Sequence, residues 1–472
     1  MKKTSPRGCS PLSNPLFWVA IAIVFTLGFI VEPYLQVQSS DPQSLAIPKA
    51  TLTPVPETQV PPTQVPKFEP GTNLTLVPED PASPSAPWDF HVISSGGQGA
   101  DGVRLVDVNG DRRKDVISAF EHSGQVMIFQ QPGLDQVKQP WPFVNVGSFP
   151  SGEDAIGVDL DGDEMIDIVS MHEGDTLGIY VHWAPTDPAL YLYPEAWIAP
   201  QLIPSSSGRA WMFAIQMDVN KDGHGDIVAG SKDDYFNDRN SIGDLGWFEA
   251  PSQDKRGLDA WEYHSIGPSG WPMSIIAYDV NGDGHDDLIV TDRNAGPEHM
   301  GARWLRNPGA DWEQPWRSRF LGEMAGTRPT FMSSGDFDGD GLEEFVIPLS
   351  DEGQLIILRR PDLGLDLLSI GIDFSQDFGT MKAVEVGDID NDGQMDIIVT
   401  FVGGQYGVIW LSYTGDPFAD PWVMHVVFEG AGKFDNIALY DVDQDGDKDI
   451  FTTEEQLDLG VLWFENPSVT GD

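Results

Sequence analysis

The sequence predicts an all-β protein, a seven-bladed β-propeller of four-stranded blades. An acidic loop motif occurs seven times, and successive copies begin 52 to 61 residues apart, a period typical of propellers and solenoids. A spare strand-like segment before the first copy predicts that an N-terminal strand closes the last blade. We divide the chain into a transmembrane or signal segment (1–34), a Pro-rich stalk (35–87), the propeller (88–467) and a tail (468–472).

The N-terminal segment is predicted to be a single membrane anchor. Residues 16–31 form an uncharged apolar run, LFWVAIAIVFTLGFIV, which Lys2, Lys3 and Arg7 precede. Basic flanks stay in the cytoplasm, so the C-terminal part is expected to be exported to the periplasm or the extracellular space. The alternative is a cleaved signal peptide and a secreted protein, although no small-residue cleavage site follows the apolar run.

The stalk is predicted to be disordered. Its segment TPVPETQVPPTQVP is rich in Pro, Thr and Gln. Such a composition favours extended polyproline II chain over a packed core. We expect the stalk to hold the propeller away from the membrane.

Each repeat carries the signals of four short strands. An alternating segment such as VRLVD leads into the acidic loop, a continuous apolar run such as DIVAGS follows, and a third segment such as GWFEAP ends in Pro. A fourth segment such as WEYHSI completes the blade. The unbroken apolar run predicts a second strand that is buried on both faces. The last repeat ends at Pro467 without a fourth strand, and the segment WDFHVI at Trp88 is predicted to supply it.

The acidic loops, numbered 1 to 7 in chain order, are predicted metal sites. Each places oxygen-bearing side chains at positions 1, 3, 5 and 9, and alternate residues of a tight loop converge on one point. A hard divalent cation requires six to eight such oxygens. The predicted ligands are Asp107, Asn109, Asp111 and Asp115; Asp159, Asp161, Asp163 and Asp167; Asp218, Asn220, Asp222 and Asp226; Asp279, Asn281, Asp283 and Asp287; Asp336, Asp338, Asp340 and Glu344; Asp388, Asp390, Asp392 and Asp396; and Asp441, Asp443, Asp445 and Asp449.

The ligand set favours calcium, with up to seven structural Ca²⁺ ions. Zinc prefers His and Cys, and these loops offer oxygen alone. Five loops have Gly at position 6, where a positive φ permits the turn. Loops 1 and 2 have Arg112 and Glu164 there and are the weakest candidates. An EF-hand needs Glu at position 12, which is Ser118 in loop 1 and Thr452 in loop 7.

These repeats resemble the FG-GAP and VCBS repeats, a family of calcium-loop propellers that includes the N-terminal propeller of integrin alpha subunits. The resemblance covers residues 88–467 and rests on the DxDxDG loop with its following apolar strand. It implies calcium at the matching loop positions, and Arg112 and Glu164 depart from the pattern. Because the family spans many functions, the resemblance implies no single activity.

Composition limits the partners. The formal net charge of −47 argues against nucleic acid, which needs a basic face. The only cysteine, Cys9, lies outside the propeller, so disulfides do not stabilise it. Calcium is the expected substitute, since a ligand of the folded state stabilises that state. We expect a monomer.

Ligand recognition is expected on the face opposite the acidic loops. The second-to-third and fourth-to-first connections meet there, and loops on a rigid scaffold commonly carry function. Planar Arg groups suit carboxylate recognition, and exposed Trp or Tyr rings can stack on sugars. The candidate ligand-binding residues are His122, His172, Arg209, Trp211, Asp233, Tyr235, Arg239, Trp271, Arg293, His299, Arg328 and Lys433.

Three functions remain open at this point, and the third of them is a secreted scaffold that binds no small ligand. The first is a membrane-tethered, exported module for adhesion or recognition, with a protein or glycan ligand. The alternative is a carbohydrate-active enzyme of the lyase or dehydratase kind. That alternative requires convergence among His122, His172, Arg209, Arg293 and His299. The chain has no G-x-S-x-G, HExxH or phosphate-binding motif, so we assign no catalytic residue.

Overall fold

A computed structural model describes residues 68–81, 85–232, 242–294, 298–360 and 367–467. All of them lie within one compact unit, Gln64–Asp472. The predicted anchor, the first part of the stalk and the predicted tail lie outside the described residues. Within the ranges given above, no helix is both long and apolar enough to cross a membrane.

The described strands form seven antiparallel blades, which confirms the predicted fold class. Three strands precede the first repeat: β1 (Thr72–Leu74), β2 (Leu76–Pro78) and β3 (Asp89–Ser94). Blades 1 to 3 comprise β4 (Ala100–Val106), β5 (Asp115–Phe120), β6 (Gln125–Phe129) and β7 (Phe143–Ser148); β8 (Gly152–Val158), β9 (Asp167–His172), β10 (Gly178–His182) and β11 (Gln201–Leu202); and β12 (Trp211–Met217), β13 (Asp226–Ser231), β14 (Gly243–Glu249) and β15 (Glu262–Ser269).

The remaining four blades continue in the same order. Blades 4 and 5 comprise β16 (Pro272–Tyr278), β17 (Asp287–Asp292), β18 (Gly301–Arg306) and β19 (Arg317–Phe320); and β20 (Ser333–Gly335), β21 (Glu344–Leu349), β22 (Gln354–Arg359) and β23 (Leu368–Asp373). Blades 6 and 7 comprise β24 (Thr380–Gly387), β25 (Asp396–Val402), β26 (Tyr406–Tyr413) and β27 (Trp422–Glu429); and β28 (Phe434–Tyr440), β29 (Asp449–Glu454), β30 (Gly460–Glu465) and β3. Short 3-10 helices lie in the connections at Pro188–Leu190, Pro194–Ala196, Pro204–Ser206, Leu258–Ala260, Gly309–Asp311 and Gln376–Phe378.

The second strand of each blade forms the centre of the inter-blade core. Every residue of β5, β9, β13, β17, β21 and β29 is buried. Burial on both faces follows from the unbroken apolar runs, because each blade packs between two neighbours. The sequence prediction for these strands is therefore confirmed.

The ring closes through the N-terminal strand β3. It pairs antiparallel with β30, from Asp89 opposite Glu465 to Ser94 opposite Val461. The first strands β28 and β4 are in contact across the junction, as are the first strands β4 and β8 of blades 1 and 2. The predicted closing strand is confirmed, and it removes a free sheet edge from blade 7.

Residues 68–81, which we call the belt, differ from the expected stalk. Strand β1 adds in parallel to β23 of blade 5, and β2 adds in parallel to β27 of blade 6. Phe68 is 5% exposed and Leu74 is 9% exposed, and both side chains join inter-blade clusters. The belt forms because these apolar side chains meet two unpaired sheet edges, which lie far away in the sequence.

The belt also completes a contact that recurs in the outer half of three blades. A fourth-strand His packs against a third-strand Trp, with ring centroids 4.5 Å apart for His91 and Trp463 in blade 7. Glu465 accepts a hydrogen bond from this histidine at 2.7 Å. In blade 6, His425 lies 3.1 Å from Glu79, which the belt supplies. The belt is thus integrated into the propeller through polar contacts as well as apolar ones.

Candidate functional site

The acidic loops join the first and second strands and fold by hydrogen bonds within each loop. In loop 3, Asp218 Oδ2 accepts from the backbone N–H of Gly223 at 3.0 Å, and Asp222 Oδ1 accepts from that of His224 at 2.8 Å. The backbone N–H of Asp222 also donates to Asp218 Oδ1 at 3.1 Å, so the loop backbone contacts both oxygens of Asp218 and one oxygen of Asp222. These contacts hold the two side chains within the loop, where their oxygens would serve as ligands of a bound calcium ion.

Loop 6 combines convergent carboxylates with an unsatisfied buried oxygen, and this combination fits a calcium ion. Carboxylate oxygens of Asp388, Asp390 and Asp396 all lie within 4.8 Å of one another. Asp388 Oδ1 is buried, and no hydrogen-bond donor of the described residues faces it. A buried anionic oxygen without a donor is costly, and a bound cation would satisfy it. Comparable convergence occurs in loop 2 among Asp159, Asp161 and Asp163 and in loop 5 among Asp336, Asp338 and Asp340.

The position 9 carboxylate connects each loop to the end of the third strand. In loop 3, Asp226 is fully buried and accepts from the backbone N–H groups of Val219 at 2.9 Å and Ala250 at 2.8 Å. Burial, with a smaller contribution from the neighbouring Asp222, raises its pKa to about 7. Position 9 therefore holds the loop in place structurally and contributes to the negative field of the site.

Every acidic loop uses a positive φ at two positions, 4 and 6. The sequence prediction identified position 6 alone. Position 4 is Gly110, Gly162, Lys221, Gly282, Gly339, Asn391 and Gln444, and position 6 is Arg112, Glu164, Gly223, Gly284, Gly341, Gly393 and Gly446. Loops 1 and 2 thus keep the turn geometry of the others, and Arg112 (φ 71°) and Glu164 (φ 69°) adopt it despite their side chains.

We predict that Arg112→Gly and Glu164→Gly each stabilise the protein by about 1 kcal/mol, because glycine has no steric penalty in the left-handed region. Urea unfolding with calcium chelated measures the change. Lys114→Gly is the control: Lys114 is exposed, lies in loop 1 and lacks a positive φ, so we expect a loss of up to about 1 kcal/mol. A loss of stability in all three variants would contradict the strain argument.

A cavity of about 280 Å³ lies on the face opposite the acidic loops. The first strands of successive blades and the turns after the second strands surround it. Its lining combines charged, aromatic and thioether side chains: Asp101, Glu121, Glu153, Asp154, Glu173, Met212, Phe213, Lys232, Trp271, Pro272, Met273, Arg293, Phe331, Lys382, Lys433 and Asn436.

Two equivalent positions of the repeat supply most of the polar lining. The first lies six residues before each acidic loop and is Asp101, Glu153, Met212, Met273, Thr330, Lys382 and Asp435. The second lies six residues after position 9 and is Glu121, Glu173, Lys232, Arg293, Ser350, Val402 and Glu455. The backbone places these residues equivalently, yet their chemistry changes from blade to blade. The repeat thus provides a rigid frame with a variable lining.

Lys232 organises one side of the cavity. Its ammonium lies 2.5 Å from Glu173 Oε2 and 3.6 Å from Glu153 Oε1, and 4.2 Å from the centre of the Trp271 ring. Burial raises the pKa of Glu153 well above its ordinary value; Lys232 opposes this shift and Glu173 adds to it. Arg293 lies over the same Trp271 ring at 5.5 Å. This side presents a compact group of acids and cations around one indole.

Asp435 organises the opposite side. Its carboxylate lies 3.2 Å from Lys382 Nζ and 3.9 Å from Lys433 Nζ. Burial raises the pKa of the nearby Asp101 well above its ordinary value, and Asp435 raises it further. Because acids and lysines alternate around the cavity, we expect directional hydrogen bonds rather than net charge to select a ligand.

The structure places the predicted ligand-binding residues in several different environments. Trp271, Arg293 and Lys433 line the cavity. His122 is near it, 3.5 Å from Glu455, and its side chain is 57% exposed. On the outer part of this face, Arg209 lies 3.7 Å from Asp244 and Arg328 lies 3.1 Å from Asp351. His299 is half-buried. Asp233, Tyr235 and Arg239 lie outside the described residues.

His172 and Trp211, expected in exposed connections, are fully buried. His172 ends β9 and lies 2.8 Å from Ser170, and burial lowers its pKa to about 4. Trp211 begins β12 and donates from Nε1 to the Ser206 carbonyl oxygen at 2.8 Å. Both belong to the strands, so their side chains pack between blades. Of the five residues required by the enzyme alternative, only Arg293 lines the described cavity.

Sequence reasoning missed Asp101, Glu153, Lys232 and Lys382. The chain contains 74 acidic residues, so composition alone does not distinguish the acidic residues of the cavity from the others. The constant distance of six residues from each acidic loop is the signal that would have identified them.

Comparisons with known proteins agree with this architecture. The FG-GAP-like repeat matches residues 218–290, 279–347 and 336–399, which include acidic loops 3 to 6. A T-cell immunomodulatory protein homolog from Plasmodium falciparum (isolate 3D7) is 24% identical over 242 residues, with 39% of this chain and 32% of that protein covered. The chain thus matches about a third of the length of that relative.

Among solved structures, BBS1N in complex with ARL6DN has a TM-score of 0.47 at 9% identity, covering 82% of this chain and 99% of that chain. An ancestral GH74 enzyme has a TM-score of 0.49 at 9% identity, covering 80% of this chain and 47% of that chain. Both likenesses are too distant to bear on function. The chain is thus a seven-bladed β-propeller that carries FG-GAP-like repeats within residues 218–399.

Proposed function

We propose that this protein is an exported recognition module, tethered by its N-terminal segment, that binds a protein or glycan ligand at the cavity face. Structural calcium ions would stabilise the acidic loops on the opposite face of the propeller. The supporting observation is the contrast between the two faces: the loop positions repeat in chemistry, whereas the equivalent cavity positions differ from blade to blade. Variation on a fixed scaffold is typical of binding surfaces.

The cavity chemistry suits a ligand with many hydrogen-bonding groups. Trp271 offers an aromatic surface, and Arg293 and Lys433 provide donors beside carboxylates. The relative described as a T-cell immunomodulatory protein homolog is consistent with a recognition role, although it matches over only part of its length. No observation on the described residues favours the enzyme alternative, because its required groups do not share a pocket.

A glycan array tests the proposal with two matched variants of the propeller, each with and without calcium. Arg293→Ala removes a cavity side chain, whereas Arg317→Ala removes an exposed arginine from β19, the outer strand of the same blade. We expect Arg293→Ala to weaken binding by about tenfold or more, the size typical of a truncated arginine anchor, and Arg317→Ala to leave binding unchanged. If the array is silent, the same pair is compared in binding to the surfaces of intact cells. Equal binding by both variants would contradict a ligand site at the cavity.

A further inference from the structure

We propose that Arg256 of blade 3 is the resident cation of acidic loop 2, which consequently binds no calcium. Arg256 lies in the connection between β14 and β15 and reaches across to the loop of the preceding blade. Its Nε donates to Asp161 Oδ2, and its Nη2 donates to Asp163 Oδ2 at 3.2 Å. One guanidinium thus contacts the side chains of loop positions 3 and 5 together.

The two oxygens that Arg256 contacts are the ones that a metal would use. Asp161 Oδ1 already accepts from the backbone N–H of Asp163 at 3.1 Å, and Asp163 Oδ1 accepts from that of Met165 at 3.0 Å. The remaining oxygens, Oδ2 of both residues, both accept from Arg256. The guanidinium is planar and presents several donors, which suits two neighbouring carboxylates.

Every carboxylate oxygen at the four ligand positions of loop 2 accepts a hydrogen bond. Asp159 accepts from the backbone N–H groups of Gly162 and Glu164, at 2.8 and 3.1 Å. Asp167 accepts from those of Ala184 and Leu160, at 2.7 and 3.3 Å. Loop 6 differs, since Asp388 Oδ1 is buried and has no donor among the described residues. Loop 2 is therefore satisfied by the chain itself, while loop 6 is not.

The arginines near loops 4 and 5 contact fewer of the ligand side chains than Arg256 does in loop 2. Arg306 reaches Asp283 in loop 4 at 3.1 Å, Arg359 reaches Asp338 in loop 5 at 2.7 Å, and each contacts one loop side chain in the described structure. Arg256 also packs over the Trp183 ring of blade 2, with Cζ 5.1 Å from the ring centre. The aromatic contact holds the guanidinium in position and makes the pairing a fixed link between blades 2 and 3.

The assignment agrees with two independent features of loop 2. Position 6 is Glu164 rather than Gly, although its φ is 69°. The FG-GAP-like repeat match begins at residue 218, after loop 2. Loop 2 therefore differs from loops 3 to 6, which lie in the matched repeats, in its turn residue as well as in its contact with Arg256.

Equilibrium dialysis against calcium, followed by counting bound ions per chain, tests the inference. We expect Arg256→Gln to bind one calcium ion more than the natural chain. Arg306→Gln, which removes a similar contact from loop 4, should not change the number. In chelator, Arg256→Gln should unfold at a lower temperature than the natural chain. Addition of calcium should raise the unfolding midpoint of Arg256→Gln by more than it raises that of the natural chain.

If Arg256→Gln does not fold, a second variant tests whether loop 2 of the natural chain binds calcium. Asp161→Asn combined with Asp163→Asn in the natural chain should leave the number of bound ions unchanged. A loss of one ion in this double variant, or an equal number in Arg256→Gln and the natural chain, would overturn the assignment. Both results are differences in the number of bound ions between a variant and the natural chain. They therefore test loop 2 separately from the proposal that the other loops bind calcium.

Discussion

A propeller that begins at residue 95 is expected to lose its cooperative unfolding transition, because it lacks the closing strand β3. Five residue pairs join β3 to β30, and each lost hydrogen bond costs about 1 kcal/mol. Removal of Ile93, which is 1% exposed, lowers the free energy of unfolding by roughly another 2–5 kcal/mol. The sum is comparable to the total stability of a typical domain, about 5–15 kcal/mol.

Thermal unfolding of three chains, beginning at residues 68, 85 and 95, separates the belt from the closing strand. The first retains both elements. The second loses only the belt, with its buried Phe68 and Leu74, and should melt at a lower temperature with cooperativity intact. Addition of a synthetic peptide of residues 85–95 should restore the transition of the third, since a free sheet edge accepts an added strand. A cooperative transition in the third chain without peptide would show that ring closure is not required.

The parts of this fold that sequence reasoning predicted are those in which local pattern and tertiary role coincide. The second strands are continuous apolar runs because each is covered by two neighbouring blades, so the pattern itself reports the burial. The closing strand was predictable since WDFHVI matches the fourth strand that the last repeat lacks. In both cases the same sequence pattern occurs in several repeats, and the agreement among the repeats supports the prediction.

The belt and the cavity could not be predicted in the same way. Strands β1 and β2 have three residues each and lie in a Pro-rich segment, so their pairing depends on edges some 300 residues away. His172 and Trp211 occupy strand ends, where a shift of one residue exchanges a solvent-facing side chain for a core one. Glu153 and Lys232 become interpretable only when the blades bring their equivalent positions around one axis.

Removal of calcium is expected to be the second large perturbation. An ion present at a hundredfold its dissociation constant stabilises the folded state by about 2.7 kcal/mol. For the four loops within the matched repeats, the total is on the order of 10 kcal/mol, which corresponds to a fall on the order of 20 °C in the midpoint of thermal unfolding. Melting in chelator, in calcium and in magnesium of equal ionic strength measures this, and magnesium should restore little because it rarely accepts an all-protein ligand set.

A loop 6 variant distinguishes ion binding from a general effect of charge. Asp388→Asn removes the carboxylate whose buried Oδ1 lacks a donor, so it should reduce the calcium-dependent part of the stability by about the contribution of one ion, roughly 2–3 kcal/mol. In chelator the same variant should be as stable as the natural chain or more so, since an unsatisfied buried charge has been removed. Glu262→Gln, on an exposed position of β15, changes the net charge equally and should leave the calcium response intact. If both variants lowered the response by the same amount, the stabilisation would come from screening of the acidic surface and not from ions bound in the loops.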